Sequence, residues 1–154
     1  MTYKELKEIV SHKSLNMMIS FIKENITDKR RKTAGNIIYS FETIIFIITI
    51  ATICGISTYR GIEFFAKQHR IFFEKYITFP IKKIGDDLKK FFPSDDIYRL
   101  IIEVVDPDEL FKLYTWITEN IFNKYNNKTH ISIDGKCPRG TKTIDNRSID
   151  MSAQ

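Results

Sequence analysis

The sequence predicts a mainly α chain, a multi-helix N-terminal domain followed by one or two β-strands. Three observations predict it. Apolar residues recur at helical spacing through most of the first 127 positions, helix-start signatures stand at Pro93-Ser94-Asp95-Asp96 and Asp106-Pro107-Asp108-Glu109, and strand-like alternation enters only over residues 129–134. The composition agrees. With 154 residues, 43% apolar side chains, twelve Phe, seven Tyr and one Trp, the chain can bury a real core and is not composed like a disordered segment.

The opening segment to about Ile26 reads as helix, because Leu15, Met18, Ile19 and Ile22 fall on one stripe while Lys13, Asn16 and Lys23 lie off it. The basic run Asp28-Lys29-Arg30-Arg31-Lys32 follows and ends in the turn-prone Thr33-Ala34-Gly35-Asn36. It fits a phosphate-binding clamp or a charged loop. Residues 37–56 form the most hydrophobic stretch, with Ile44, Ile45, Phe46, Ile47, Ile48, Ile50 and Ile53 leaving no polar face. Such a helix is buried all round, in a core or a bilayer. Ser40, Glu42, Thr43, Thr49, Thr52 and Gly55 interrupt the apolar run, so a central core helix is expected and no membrane partner.

Ser57 is placed to cap the next helix, whose Tyr59, Ile62, Phe65, Ala66 and His69 make one face. His69 has no second ligand at metal spacing and reads as a surface or interfacial side chain. After Pro80, the lysine pairs Lys82-Lys83 and Lys89-Lys90 are expected to face solvent. Ser94 can cap the following helix, with Asp95 and Asp96 in a first turn where the helix dipole favours negative charge; that explanation outweighs a metal site. Asp106 as cap, Pro107 at the first helical position and Glu109 at the third open the last helix. It carries Leu110, Tyr114, Ile117 and Ile121 on one stripe, broadened by Phe111 and Trp116, and fades at Tyr125-Asn126-Asn127.

Over residues 129–134 Ile131 and Ile133 alternate with His130, Ser132 and Asp134, so one carboxylate ends a strand just before Gly135, Lys136, Arg139 and Gly140. A further strand is expected near residues 148–153. Charge is uneven. Residues 1–36 carry eight Lys/Arg against four Asp/Glu, and residues 128–154 carry five against three, while the middle is nearly neutral. A polyanion such as DNA would meet the basic ends through phosphate contacts, although on charge alone a solvated basic surface is the favoured explanation. Cys54 and Cys137 stand far apart with no signal-peptide pattern before them, which predicts free thiols and a cytoplasmic location.

The order of motifs resembles the insertion-sequence DDE transposases of the H-repeat-associated group. The residues that carry it are Asp28 and Arg30, the apolar helix ending in Cys54-Gly55-Ile56, Ile62-Glu63-Phe64-Phe65-Ala66, Pro93-Ser94-Asp95-Asp96-Ile97-Tyr98-Arg99, Asp106-Pro107 with Trp116 ten residues on, and Ile133-Asp134-Gly135-Lys136 before Arg139-Gly140. The resemblance covers roughly residues 26–140. After the N-terminal helix read over 1–27, it implies a helical transposase-associated domain over 28–127 and, over 128–154, the truncated start of a ribonuclease-H-like catalytic domain.

It also implies that Asp134 is the first catalytic, metal-binding carboxylate, for two Mg²⁺ ions about 4 Å apart that activate the attacking oxygen and stabilise the leaving one. Lys136 and Arg139 would contact DNA beside it, with Lys29, Arg30, Arg31 and Lys32 as further DNA contacts. The departures weigh as much. The family completes its metal cluster with a further Asp and a Glu, whereas Asp145 and Asp150 lie only eleven and sixteen residues past Asp134, where the family has its first hairpin. The expectation is a transposase fragment that is catalytically incomplete alone, with element-end DNA, a second copy or full-length transposase as partners. Two alternatives stay open: a DNA-binding or regulatory remnant that pairs with full-length transposase, and a helical interaction module without nucleic acid, with or without membrane association.

Overall fold

The computed structural model describes residues 2–30, 37–84 and 87–122. The strands expected over 129–134 and near 148–153 lie outside them. The described part is helical apart from one hairpin. Its elements are α1 (Tyr3–Ile9), α2 (His12–Asn25), α3 (Phe41–Ile53), α4 (Tyr59–Gln68), α5 (Arg70–Phe73), β1 (Ile81–Ile84), β2 (Asp87–Lys90), α6 (Asp95–Val104) and α7 (Pro107–Ile117), the last continued by a π-turn over Thr118–Phe122.

The opening helix is interrupted where one continuous helix was expected. Thr2 and Glu5 form a capping box that starts α1, Val10 adopts an extended backbone, and the Ser11 hydroxyl accepts from the Ser14 N–H to start α2. A serine that can satisfy an N–H from outside the helix makes the break inexpensive. Leu15, Met18 and Ile22 are buried as their spacing predicts.

α3 is the centre of the core. Ser40 caps it through the Thr43 N–H, and from Thr43 to Ala51 every side chain is buried. Helix α3 packs on α2, α4 and α6, with α2 also against α7 and α4 against α6. Its apolar circumference is covered on all sides by other helices. Ile37 and Ile38, taken as part of this helix from sequence, precede its cap and are exposed. Among the described residues no helix is long and apolar enough to cross a membrane.

The far end of α3 closes in a Schellman motif. The Ile56 N–H donates to the Ala51 carbonyl at 3.0 Å and the Gly55 N–H to the Thr52 carbonyl at 2.9 Å. Gly55 takes φ 82°, a left-handed conformation that costs glycine nothing. Thr58 rather than Ser57 then caps α4, accepting from the Gly61 N–H at 3.1 Å. Ile62, Phe65 and Ala66 are buried as expected, but Tyr59 stays exposed. In α7 the buried stripe is Leu113, Ile117 and Ile121, with Leu110 and Tyr114 only half-buried and Phe111 73% exposed. The stripe expected from Leu110 and Tyr114 is therefore rotated toward Leu113.

The hairpin is a second departure, since no strand was expected between Pro80 and Phe91. β1 and β2 pair antiparallel with Ile81 opposite Lys90, Lys82 opposite Lys89, Lys83 opposite Leu88 and Ile84 opposite Asp87. Its base is tied by the Phe91 N–H to the Pro80 carbonyl at 3.0 Å and by the Phe79 and Phe92 rings, 4.2 Å apart.

Candidate functional site

The basic run after α2 fits a clamp or a loop as sequence, and the structure gives the contacts of its first half within the protein. Ile26 is buried at the end of α2, so the chain leaves the helix beside the start of α7. Thr27 donates through its N–H and hydroxyl to the two oxygens of Glu109, at 2.8 and 2.9 Å. Glu109, the third residue of α7, thus reaches across to another segment. Lys29 Nζ lies 2.8 Å from Asp106 Oδ2, on the residue that caps the same helix by accepting from the Asp108 N–H. The start of α7 is held by two carboxylates that both bind the 27–29 segment.

Arg30 turns the other way. Its Nε and one terminal nitrogen donate to the two oxygens of Asp28, each at 2.8 Å, and its other terminal nitrogen donates to the Tyr39 carbonyl at 2.9 Å. The guanidinium also lies 5.4 Å from the centre of the Phe41 ring. Bidentate pairing and stacking suit the planar fork of arginine and not lysine. Arg30 therefore joins the exit of α2 to the entry of α3, with its side chain only 12% exposed. Lys29, with its side chain 47% exposed, is the member of this pair that faces solvent.

The electrostatics follow the geometry. Lys29 is held above the usual lysine range by its bond to Asp106, and Asp106 is held below the usual carboxylate range by Lys29 and then by the Asp108 N–H. Glu63 is likewise pulled down, first by Lys67 and then by the Asp95 N–H. That second contact, at 2.9 Å, starts α6. The Ser94 side chain, the expected cap, makes no capping bond. Asp95 accepts from the Asp96 N–H and Asp96 from Arg99, so both are spent on the helix start, as the sequence favoured.

Among the described residues no group of three or more His, Cys, Asp or Glu is gathered to hold a metal ion. His69 is interfacial: its ring stacks on Tyr3 at 3.8 Å, and burial lowers its pKa. Cys54 is a free thiol raised by burial. Asp134, Lys136, Arg139, Arg31, Lys32 and Cys137 lie outside the described residues.

Two features carry no signal in the sequence. Thr49 Oγ1 and Tyr98 Oη are buried in the core with no hydrogen-bond partner among the described residues, and burial pushes the Tyr98 hydroxyl far above its ordinary value. An open groove of about 550 Å³ runs along α2, floored by Phe21 stacked on Trp116 at 4.9 Å and edged by Lys13, Met17 and Glu24. Neither gathers groups with catalytic chemistry.

The helical core, with Arg30 bridging Asp28 to the entry of its central apolar helix and with the Asp-Pro start of α7, carries those motifs of the resemblance that fall among the described residues. Residues 21–117 match the family model described as DDE_Tnp_1-associated, and the chain belongs to this family of domains associated with DDE transposases. No curated protein and no solved structure matches the chain.

Proposed function

We propose that the chain acts in DNA transposition, as the helical accessory unit of an insertion-sequence DDE transposase, and that it binds DNA. The observation that carries this reading is the family match over residues 21–117, which spans α3, α4, α6 and α7 around one core. In this reading the residues past 127 begin a ribonuclease-H-like fold, Asp134 is the first Mg²⁺ ligand, and Lys136 and Arg139 lie against phosphate. Arg31 and Lys32 add to the basic run. Lys29 can join them, because an exposed ion pair with Asp106 stabilises so little that a phosphate oxygen can replace the carboxylate. Arg30 positions the run and spends its donors on Asp28 and Tyr39. The free thiol of Cys54 fits a cytoplasmic location beside the DNA.

One carboxylate does not assemble a two-metal centre, so in this reading residues 1–154 by themselves supply only part of one. A second reading, pairing with another copy or with full-length transposase, draws on the large apolar side chains at the surface: Phe64, Ile71 and Phe111 are each more than two-thirds exposed. The test is incubation of the purified chain with Mg²⁺ and duplex taken from the DNA flanking its coding sequence. No nicking is expected, in the wild type or in Asp134→Ala. Mg²⁺-dependent nicking that disappears in Asp134→Ala would overturn the incompleteness.

A further inference from the structure

Two outward helix faces carry matching patterns of opposite sign. On α4 and α5, Arg60, Phe64, Lys67 and Ile71 recur at i, i+4, i+7 and i+11 and so form one stripe. It lies opposite Ile62, Phe65 and Ala66, which enter the core, and all four of its residues are exposed. On α6, Asp96, Leu100 and Glu103 recur at i, i+4 and i+7, opposite the buried Tyr98, Ile101 and Val105, and are exposed too. One stripe reads cation, aromatic, cation, aliphatic, and the other reads anion, aliphatic, anion at the same spacing. Helices α4 and α6 pack on each other and both pack on α3, and Glu63 of α4 accepts from the Asp95 N–H that starts α6. The two stripes therefore stand side by side on one face of the domain. Phe64 is 68% exposed there, Ile71 72% and Leu100 47%. Large apolar side chains gathered on one face and rimmed by charge mark a protein contact, as singly scattered ones do not.

We propose that the α4–α6 face is an isologous interface with a second copy of the chain, α4 of each copy lying on α6 of the other. The proposal rests on the pairing reading above and gives that reading its surface. A two-fold axis makes the contact twice, setting Arg60 and Lys67 against Asp96 and Glu103 of the second copy, and Phe64 and Ile71 against its Leu100. Within one copy Lys67 already pairs with Glu63, and Asp96 with Arg99. Both are exposed pairs that stabilise little, so they do not hold these charges back from a second copy. DNA suits the face poorly, because Asp96 and Glu103 beside the cationic stripe repel phosphate.

Sedimentation equilibrium of the full chain across a concentration series, without DNA, tests this, with circular dichroism as the folding check. The wild type is expected to dimerise. Arg60→Glu with Lys67→Glu sets acid against acid across the interface, and Asp96→Asn with Glu103→Arg takes the acid from the other stripe. Asp96 is neutralised and not reversed, because a cation in the first turn of α6 would oppose the helix dipole. Each double variant alone should dimerise at least about tenfold more weakly than the wild type. Mixed in equal amounts, the two should form a heterodimer tighter than either homodimer, since both contacts then join opposite charges again. A variant that had merely lost its fold would gain no partner on mixing. Phe64→Ser and Leu100→Ser should weaken the dimer as well, whereas Phe111→Ser, on α7, should leave it unchanged. A wild-type dimer that the α4 and α6 variants leave intact, or that Phe111→Ser alone breaks, overturns this face and leaves pairing standing. A wild type that stays monomeric removes pairing and the face together. Charge reversal on α4 that weakens duplex binding but not dimerisation assigns the stripe to DNA and overturns the interface.

Discussion

Arg30 has a carboxylate, a carbonyl and an aromatic ring around one guanidinium, and each is supplied by a different residue: Asp28, Tyr39 and Phe41. Removing that fork takes away charged hydrogen bonds in a mostly buried setting, so Arg30→Ala should cost about 2 kcal/mol or more in urea unfolding. Arg30→Lys should recover little of the loss, since a point charge does not reproduce bidentate geometry. An Arg30→Ala variant as stable as the wild type would show that the fork fastens nothing. Asp106 makes a pH-dependent claim. Its folded pKa lies below the ordinary 3.8, so its contribution is present above the unfolded value and is lost as pH falls through the folded one. The stability gap between wild type and Asp106→Asn should therefore be widest above about pH 5 and close in acid. A gap independent of pH would contradict the Lys29–Asp106 contact as the cause. The first residues of the run were legible from sequence as charged, but not their directions, because only the positions of Tyr39, Phe41 and α7 decide that Arg30 turns inward and Lys29 outward.

Helix ends were the best-read features where several signals agreed and the least certain where two residues compete. Asp106-Pro107 starts α7 as its composition predicts, since the cap, the fixed φ of proline and the acidic first turn all point to one boundary. Ser57 and Thr58 are both competent caps, and the choice of Thr58 follows from where Ile62 and Phe65 must enter the core. Ser94 yields its capping role to Glu63, a residue far earlier in the chain that no local pattern could nominate. In α7, apolar residues at 110, 111, 113, 114, 116 and 117 cover too wide an arc for periodicity to choose a centre, and the packing against α2 selects Leu113. The ribbon stayed hidden because lysine is a poor strand former and leaves no apolar alternation to read. Gly55 offers a clean test at this scale. An added Cβ would touch nothing within 4 Å, so Gly55→Ala should cost only the left-handed backbone penalty, about 1 kcal/mol. A neutral substitution would show that the Schellman end of α3 tolerates another conformation.

At the scale of the molecule, one apolar cluster joins every helix among the described residues, including α1 and the first part of α2, which precede the residues matched by the family model. Leu6, Val10, Leu15 and Met18 are buried in it, so the stretch before residue 21 belongs to the same packed unit. The core helix α3 was plain in the sequence because nothing polar interrupts Ile44 to Ile48, whereas the contacts that hold α7 and α6 are long-range and polar. Asp134, on which the catalytic expectation turns, lies outside the described residues, so the DNA reading rests on the helical unit and its charge. The most direct measurement is binding of the chain to duplex from the DNA flanking its coding sequence, against random duplex, as salt is raised. Binding should fall steeply and linearly in log affinity against log salt and should favour the flanking sequence. Binding indifferent to salt, or none to either duplex, would contradict a role on DNA.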